Sequence, residues 1–113
     1  MKKITNSAAE EAANKKALNI RILDLRKVTT FADYFIICSG TSDVHCQSIC
    51  TGIEKKLKNY NIEKLGVEGY THGKWILLDY GALIIHIFHD YVRDIYDLEG
   101  FWKGTPSKRF ELK

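Results

Sequence analysis

The five residues Tyr34-Phe35-Ile36-Ile37-Cys38 constrain this chain more than any other segment. They form an unbroken apolar run with no polar side to turn toward water. Such a run predicts a strand covered on both faces, not the alternating strand of a half-solvated sheet. Ser39-Gly40-Thr41-Ser42 follows directly, and its small residues suit a tight turn. Thr41, Ser42 and Asp43 then offer side-chain oxygens to cap a helix. Cys46, Ile49, Cys50, Ile53 and Leu57 recur at helical spacing and make one apolar stripe. A doubly covered strand running into an amphipathic helix needs a sheet with helices packed on it.

The remaining elements fit that frame. Ser7-Ala8-Ala9-Glu10 has the form of a capping box, so a helix is predicted from about Ser7 to Asn19. Ile20 to Leu25 reads as a strand, and Arg26 to Thr30 as a polar connection. Lys55, Lys56 and Lys58 sit where a helix C-terminus favours positive charge, and Asn59-Tyr60-Asn61 ends that helix. Leu65 to Glu68, Trp75 to Asp79 and Leu83 to Phe88 read as three strands, with Gly69, Gly73 and Gly81 as hairpin turns. Val92, Ile95, Tyr96, Leu98, Phe101 and Trp102 predict a last helix, stopped by Gly104 and Pro106. Gly104 to Lys113 is polar and terminal and reads as a loosely ordered tail. The predicted fold is α/β in the α+β sense: a single mixed five-stranded sheet with about three helices packed on it. Its strand–turn–helix order resembles the topology of nucleotidyltransferases.

A chain of 113 residues with 45% hydrophobic and 27% charged residues suits one small globular domain. The longest apolar run is too short to cross a bilayer. The N-terminal lysines lack the hydrophobic segment of a secretory signal, so a cytoplasmic protein is expected. Three cysteines, at 38, 46 and 50, make no disulfide framework. Cys46 and Cys50 beside His45 lack paired zinc-ligand spacing, which favours buried structural thiols. The net charge of +3 is unevenly spread: residues 62–102 carry −4, leaving +7 elsewhere. No dense basic run marks a nucleic-acid face, whereas the acidic half suits a basic protein partner.

Catalytic chemistry finds little footing. Ser39-Gly40-Thr41-Ser42 could cradle a phosphate at a helix N-terminus. It is followed by no Gly-Lys-Ser/Thr and contains no glycine triplet, so it is neither a P-loop nor a dinucleotide fingerprint. Capping is its simpler role. A nucleotidyltransferase needs clustered carboxylates to hold magnesium. Asp33 and Asp43 flank the turn, but no Asp-x-Asp pair occurs. His86 and His89 point to opposite faces of an extended chain, and His86, between Ile85 and Ile87, reads as a hydrogen-bonded core histidine. No catalytic residue, metal or cofactor is assigned.

The hairpin strands are more telling. Trp75, Leu77 and Asp79 share one face, and Ile76 and Leu78 the other. On the next strand Leu83, Ile85 and Ile87 oppose Ile84, His86 and Phe88. Both faces are substantially apolar. Either helices cover both, or one face meets a partner. An apolar patch rimmed by acids marks a protein interface, and tryptophan is a frequent anchor of such patches.

Several blocks in order carry a family resemblance. They are Phe31-Ala32-Asp33-Tyr34 with Ser39-Gly40-Thr41-Ser42, Gly66-Val67-Glu68-Gly69, Gly73-Lys74-Trp75-Ile76-Leu77-Leu78-Asp79-Tyr80-Gly81, Ile84-Ile85-His86-Ile87-Phe88, and Tyr96-Asp97-Leu98-Glu99 with Trp102. Over roughly residues 8–106 the chain resembles the ribosomal silencing factor, or Iojap, family. The resemblance implies a silencing-factor domain over 1–106 with a short tail over 107–113. It implies a non-enzymatic protein that binds the large ribosomal subunit through large-subunit ribosomal protein fourteen. The bound domain would block joining with the small subunit and so repress translation. It also implies a homodimer off the ribosome. Partner contact is implied for Trp75, Ile76, Asp79, Glu68, Leu77, Tyr80 and Lys74. The alternative reading is a nucleotide-binding or nucleotidyltransferase-like enzyme.

Overall fold

The computed structural model describes residues 1–112. In chain order the elements are α1 (Lys2–Asn14), β1 (Leu18–Asp24), β2 (Tyr34–Gly40), α2 (Asp43–Leu57), β3 (Gly66–Glu68), β4 (Trp75–Asp79), β5 (Leu83–His89), α3 (Asp90–Tyr96), α4 (Leu98–Phe101) and β6 (Ser107–Arg109). The strands form one sheet in the order β3-β4-β5-β2-β1-β6. β2 and β5 pair in parallel, and every other neighbouring pair is antiparallel. The apolar run is therefore a central strand, and all seven residues of β2 are buried.

Two clusters fill the two sides of the sheet. On one side α1 and α2 cover Ile20, Ile22, Ile36, Cys38, Ile76, Leu78, Leu83, Ile85 and Ile87 with the predicted α2 stripe and with Ala8, Ala9 and Ala12. On the other, Leu23, Leu25, Phe35, Ile37 and Phe88 meet Val92 of α3, with Leu98 and Trp102 packed at the margin. Period-two alternation along each strand divides the residues between these clusters.

The sheet has six strands rather than the predicted five, because the tail is not loose. Ser107–Arg109 pairs with β1. Asp24 donates its N–H to the Pro106 carbonyl, and Phe110 donates to the Ile20 carbonyl, both at 2.8 Å. The Phe110 ring packs against the larger core cluster. All three residues of β6 are exposed, so hydrophobic patterning gives no sign of it. Backbone groups of β1, which would otherwise form an open sheet edge, hold it in place.

Two helix boundaries also differ. The first helix begins at Lys2, and Ser7 lies inside it, buried, rather than capping it. Small residues at 7, 8, 9 and 12 let this helix sit closely on its neighbours, which outweighs the local capping pattern. It ends at Asn14 rather than Asn19, because Lys16 takes a positive φ of 65° and turns the chain into β1. The predicted last helix is broken at Asp97, which adopts the left-handed region (φ 44°, ψ 49°) and accepts the Gly100 N–H on its carboxylate.

Removing residues 107–113 should lower unfolding stability by about 1–3 kcal/mol, the scale of one buried aromatic side chain, and should promote association through the exposed β1 edge. Denaturant titration and sedimentation of the truncated chain check this. An unmoved midpoint would return the segment to the status of a loose tail.

Candidate functional site

The two sides of the sheet are not equally covered. The long α1 and α2 lie on one side, while α3 packs on β5 and β2 of the other. The β4–β3 end of that second side stays partly open. Trp75, Leu77 and Asp79 of β4 are half-buried there, and Glu68, opposite Leu77 on the edge strand β3, is exposed.

Trp75 is built into an aromatic cluster. Its ring stacks on Phe88 at 4.8 Å and meets Tyr96 at 4.9 Å. Its indole N–H donates to Nδ1 of His86 at 3.2 Å. His86 in turn packs edge-on to Phe35 at 4.8 Å, and Phe35 meets Trp102 and Phe31. Burial pushes His86 down to about 4, because its charged form would lose its hydration. Large apolar side chains project near this face: Phe31 is 57% exposed, Tyr96 58% and Phe101 79%. The turn before β4 depends on Gly69, which has a φ of 78°. A Cβ there would lie 2.1 Å from the Trp75 carbonyl oxygen, so only glycine lets the chain pass this close.

Of the seven predicted contact residues, four come together. Trp75, Leu77, Asp79 and Glu68 share the open face. Asp79 has a second task, accepting the Gly81 N–H at 2.8 Å to shape the following turn. Ile76 and Tyr80 do not join them. Ile76 is fully buried beneath the helices and Tyr80 is 7% exposed in the same cluster, where burial pushes the Tyr80 hydroxyl up to about 12. Lys74 also points toward the helix side and pairs with Asp43 at 3.1 Å. Alternation along β4 decides this division: residues 74, 76, 78 and 80 face one way and 75, 77 and 79 the other. Sequence reasoning did not place Tyr96 beside Trp75, nor Phe31 and Trp102 in the same aromatic cluster through Phe35. They come from distant segments and share no pattern with β4.

The residues considered for chemistry are occupied otherwise. Ser42 caps α2 by accepting the His45 N–H at 3.0 Å, and the Thr41 N–H donates to His45 Nδ1 at 2.9 Å. The turn's polar groups thus serve each other. Cys38, Cys46 and Cys50 are free and buried, and burial pushes their thiols up to between about 11 and 12, away from the reactive thiolate. Among the described residues no group of three His, Cys, Asp or Glu side chains could hold a metal ion. Among the described residues no helix is long and apolar enough to cross a membrane.

The family model for "Ribosomal silencing factor during starvation" matches residues 1–113. The chain belongs to the ribosomal silencing factor family. It is 35% identical over 105 residues to ribosomal silencing factor RsfS of Bacillus subtilis, covering 93% of this chain and 89% of that one. A crystal structure of a Chromobacterium violaceum protein superposes with a TM-score of 0.88 at 29% identity, covering 100% of this chain and 93% of the other. The chain is also 28% identical to the mouse protein named "Mitochondrial assembly of ribosomal large subunit protein 1", over 78% of this chain and 40% of that one. The family is named for silencing ribosomes, not for a catalysed reaction.

Two outcomes test the geometry. Ile76→Ala should cost about 2–5 kcal/mol of stability as a core truncation, and Leu77→Ala much less; chemical denaturation of both variants separates the faces. The His86 proton provides the second. The unfolded chain binds it near the ordinary 6.5, and the folded chain only near 4. The neutral ring's contribution is therefore complete above pH 6.5 and is lost as pH falls toward 4, by about 3 kcal/mol in all. Stability curves of the native chain and His86→Phe check this: the variant has no proton to bind there, so its stability advantage over the native chain should widen as pH falls through that window.

Proposed function

We propose that this protein binds the large ribosomal subunit through large-subunit ribosomal protein fourteen and, by occupying that surface, blocks joining with the small subunit. The observation that carries the reading is the open half of the sheet, where Trp75 and Leu77 are flanked by Glu68 and Asp79. Family membership supplies the ribosome, and the mouse relative's name points to its large subunit. An apolar centre with an acidic rim suits a basic ribosomal-protein surface. Six of this chain's lysines lie on the other layer: Lys2, Lys3, Lys15, Lys16, Lys55 and Lys58 are exposed on or just beyond α1 and α2. Occlusion requires no chemical step, so no substrate, metal or cofactor enters the mechanism. The protein acts in the cytoplasm, and self-association of the free chain would draw on the same apolar surface.

Sedimentation tests this directly. Added protein should co-sediment with free large subunits and reduce the yield of joined ribosomes in sucrose gradients. Sedimentation with small subunits alone, or with neither, removes the reading. Within it, Trp75→Ala should weaken large-subunit binding by roughly 2 kcal/mol or more, the scale of an interface anchor. Glu68→Lys should weaken it through like charge, and more so at low salt. Glu68 is the cleaner charge reversal, because the Asp79 carboxylate also holds a turn.

A further inference from the structure

His86 is an uneconomical residue for the place it occupies. It is 4% exposed, among Phe35, Trp75 and Phe88. With Nδ1 accepting from Trp75, the neutral ring carries its proton on Nε2. That buried Nε2 has no partner among the described residues. An orphaned buried donor destabilises a fold, and phenylalanine would fill the same aromatic volume without one. Packing alone therefore does not account for histidine here.

Its one satisfied atom does. Trp75 is otherwise held by ring contacts with Phe88 and Tyr96, and the Tyr96 side is itself exposed. Ring contacts set a separation but leave the indole some rotation about its Cα–Cβ and Cβ–Cγ bonds. A bond from its single N–H fixes that rotation. β4 pairs directly with β5, and Leu77 lies opposite His86 in the register, so the acceptor stands on rigid sheet.

We propose that His86 is the positioning residue of the docking face: its Nδ1 holds the Trp75 indole in one orientation before the ribosomal partner arrives. This rests on the reading that the open face docks on the large subunit. His86 need not touch the partner. It lowers the ordering that binding would otherwise require of the anchor, which is how preorganisation raises affinity.

The test uses the native chain, His86→Phe, Trp75→Phe and the double variant. Trp75 and Trp102 are the two tryptophans, so each indole N–H resonance can be followed, with Trp102 as the internal reference. His86→Phe should retain or raise the unfolding midpoint, shift the Trp75 indole resonance toward that of a free indole, and weaken large-subunit binding roughly tenfold, the scale of ordering one side chain. Trp75→Phe removes the donor and should weaken binding too. The double variant should bind no more weakly than the worse single variant, because both remove one interaction. His86→Gln, which keeps an acceptor, should recover part of the loss. Undiminished binding by His86→Phe, or a double loss equal to the product of the single losses, overturns the role given to His86. Failure of the native chain itself to bind large subunits would overturn the docking reading instead, and the native control shows which has failed.

Discussion

The parallel pairing of β2 with β5 is the constraint on which the rest of the molecule depends. A parallel pair requires a long crossover, and here α2, β3 and β4 all lie within it. The register places Ile36 beside Ile85 and Cys38 beside Ile87 on one side, and Phe35 beside Ile84 and Ile37 beside His86 on the other. Both sides of this central pair must be covered. The crossover helix α2 covers one. The chain after β5 turns back as α3 and α4 to cover the other.

That second cover is short, and its shortness creates the candidate interface. Arg93 anchors it: the residue is 6% exposed, and its guanidinium grips the Glu99 carboxylate through two nitrogens at 2.9 Å and donates to the Ser39 hydroxyl near the end of β2. Arg93 holds Glu99 below the usual carboxylate range. The pair fixes α3 and α4 over the middle of the sheet but not over β4 and β3. The same arrangement that completes the core therefore leaves Trp75 and Leu77 at the edge of cover, with Glu68 and Asp79 beside them.

Much of this was legible along the chain. Trp75–Asp79 appears with the predicted bounds, because glycine turns bracket an unmistakable apolar strand. Ser42 caps α2 as its small polar side chain and position suggest. Less was legible where no side-chain pattern exists: β6 is three exposed residues recruited by the backbone of β1, and Ser7 was drawn into a helix interior by close packing despite its capping-box spacing. For the contact residues, alternation separated Trp75, Leu77 and Asp79 from Ile76, whereas the family block grouped all of them as neighbours in sequence.

Sequence by itself determined the class of fold, the two apolar sides of the hairpin strands and the family, because strand periodicity and motif order are local properties of the chain. Tertiary structure decided which side is left open. That depends on helix lengths, on where the chain returns after β5, and on the buried Arg93 pair, none of which is encoded in β4. It also decided that Ile76 and Tyr80 belong to the core and that His86 meets the Trp75 indole. Those two residues are eleven positions apart, and only antiparallel pairing of β4 with β5 brings one within hydrogen-bond reach of the other.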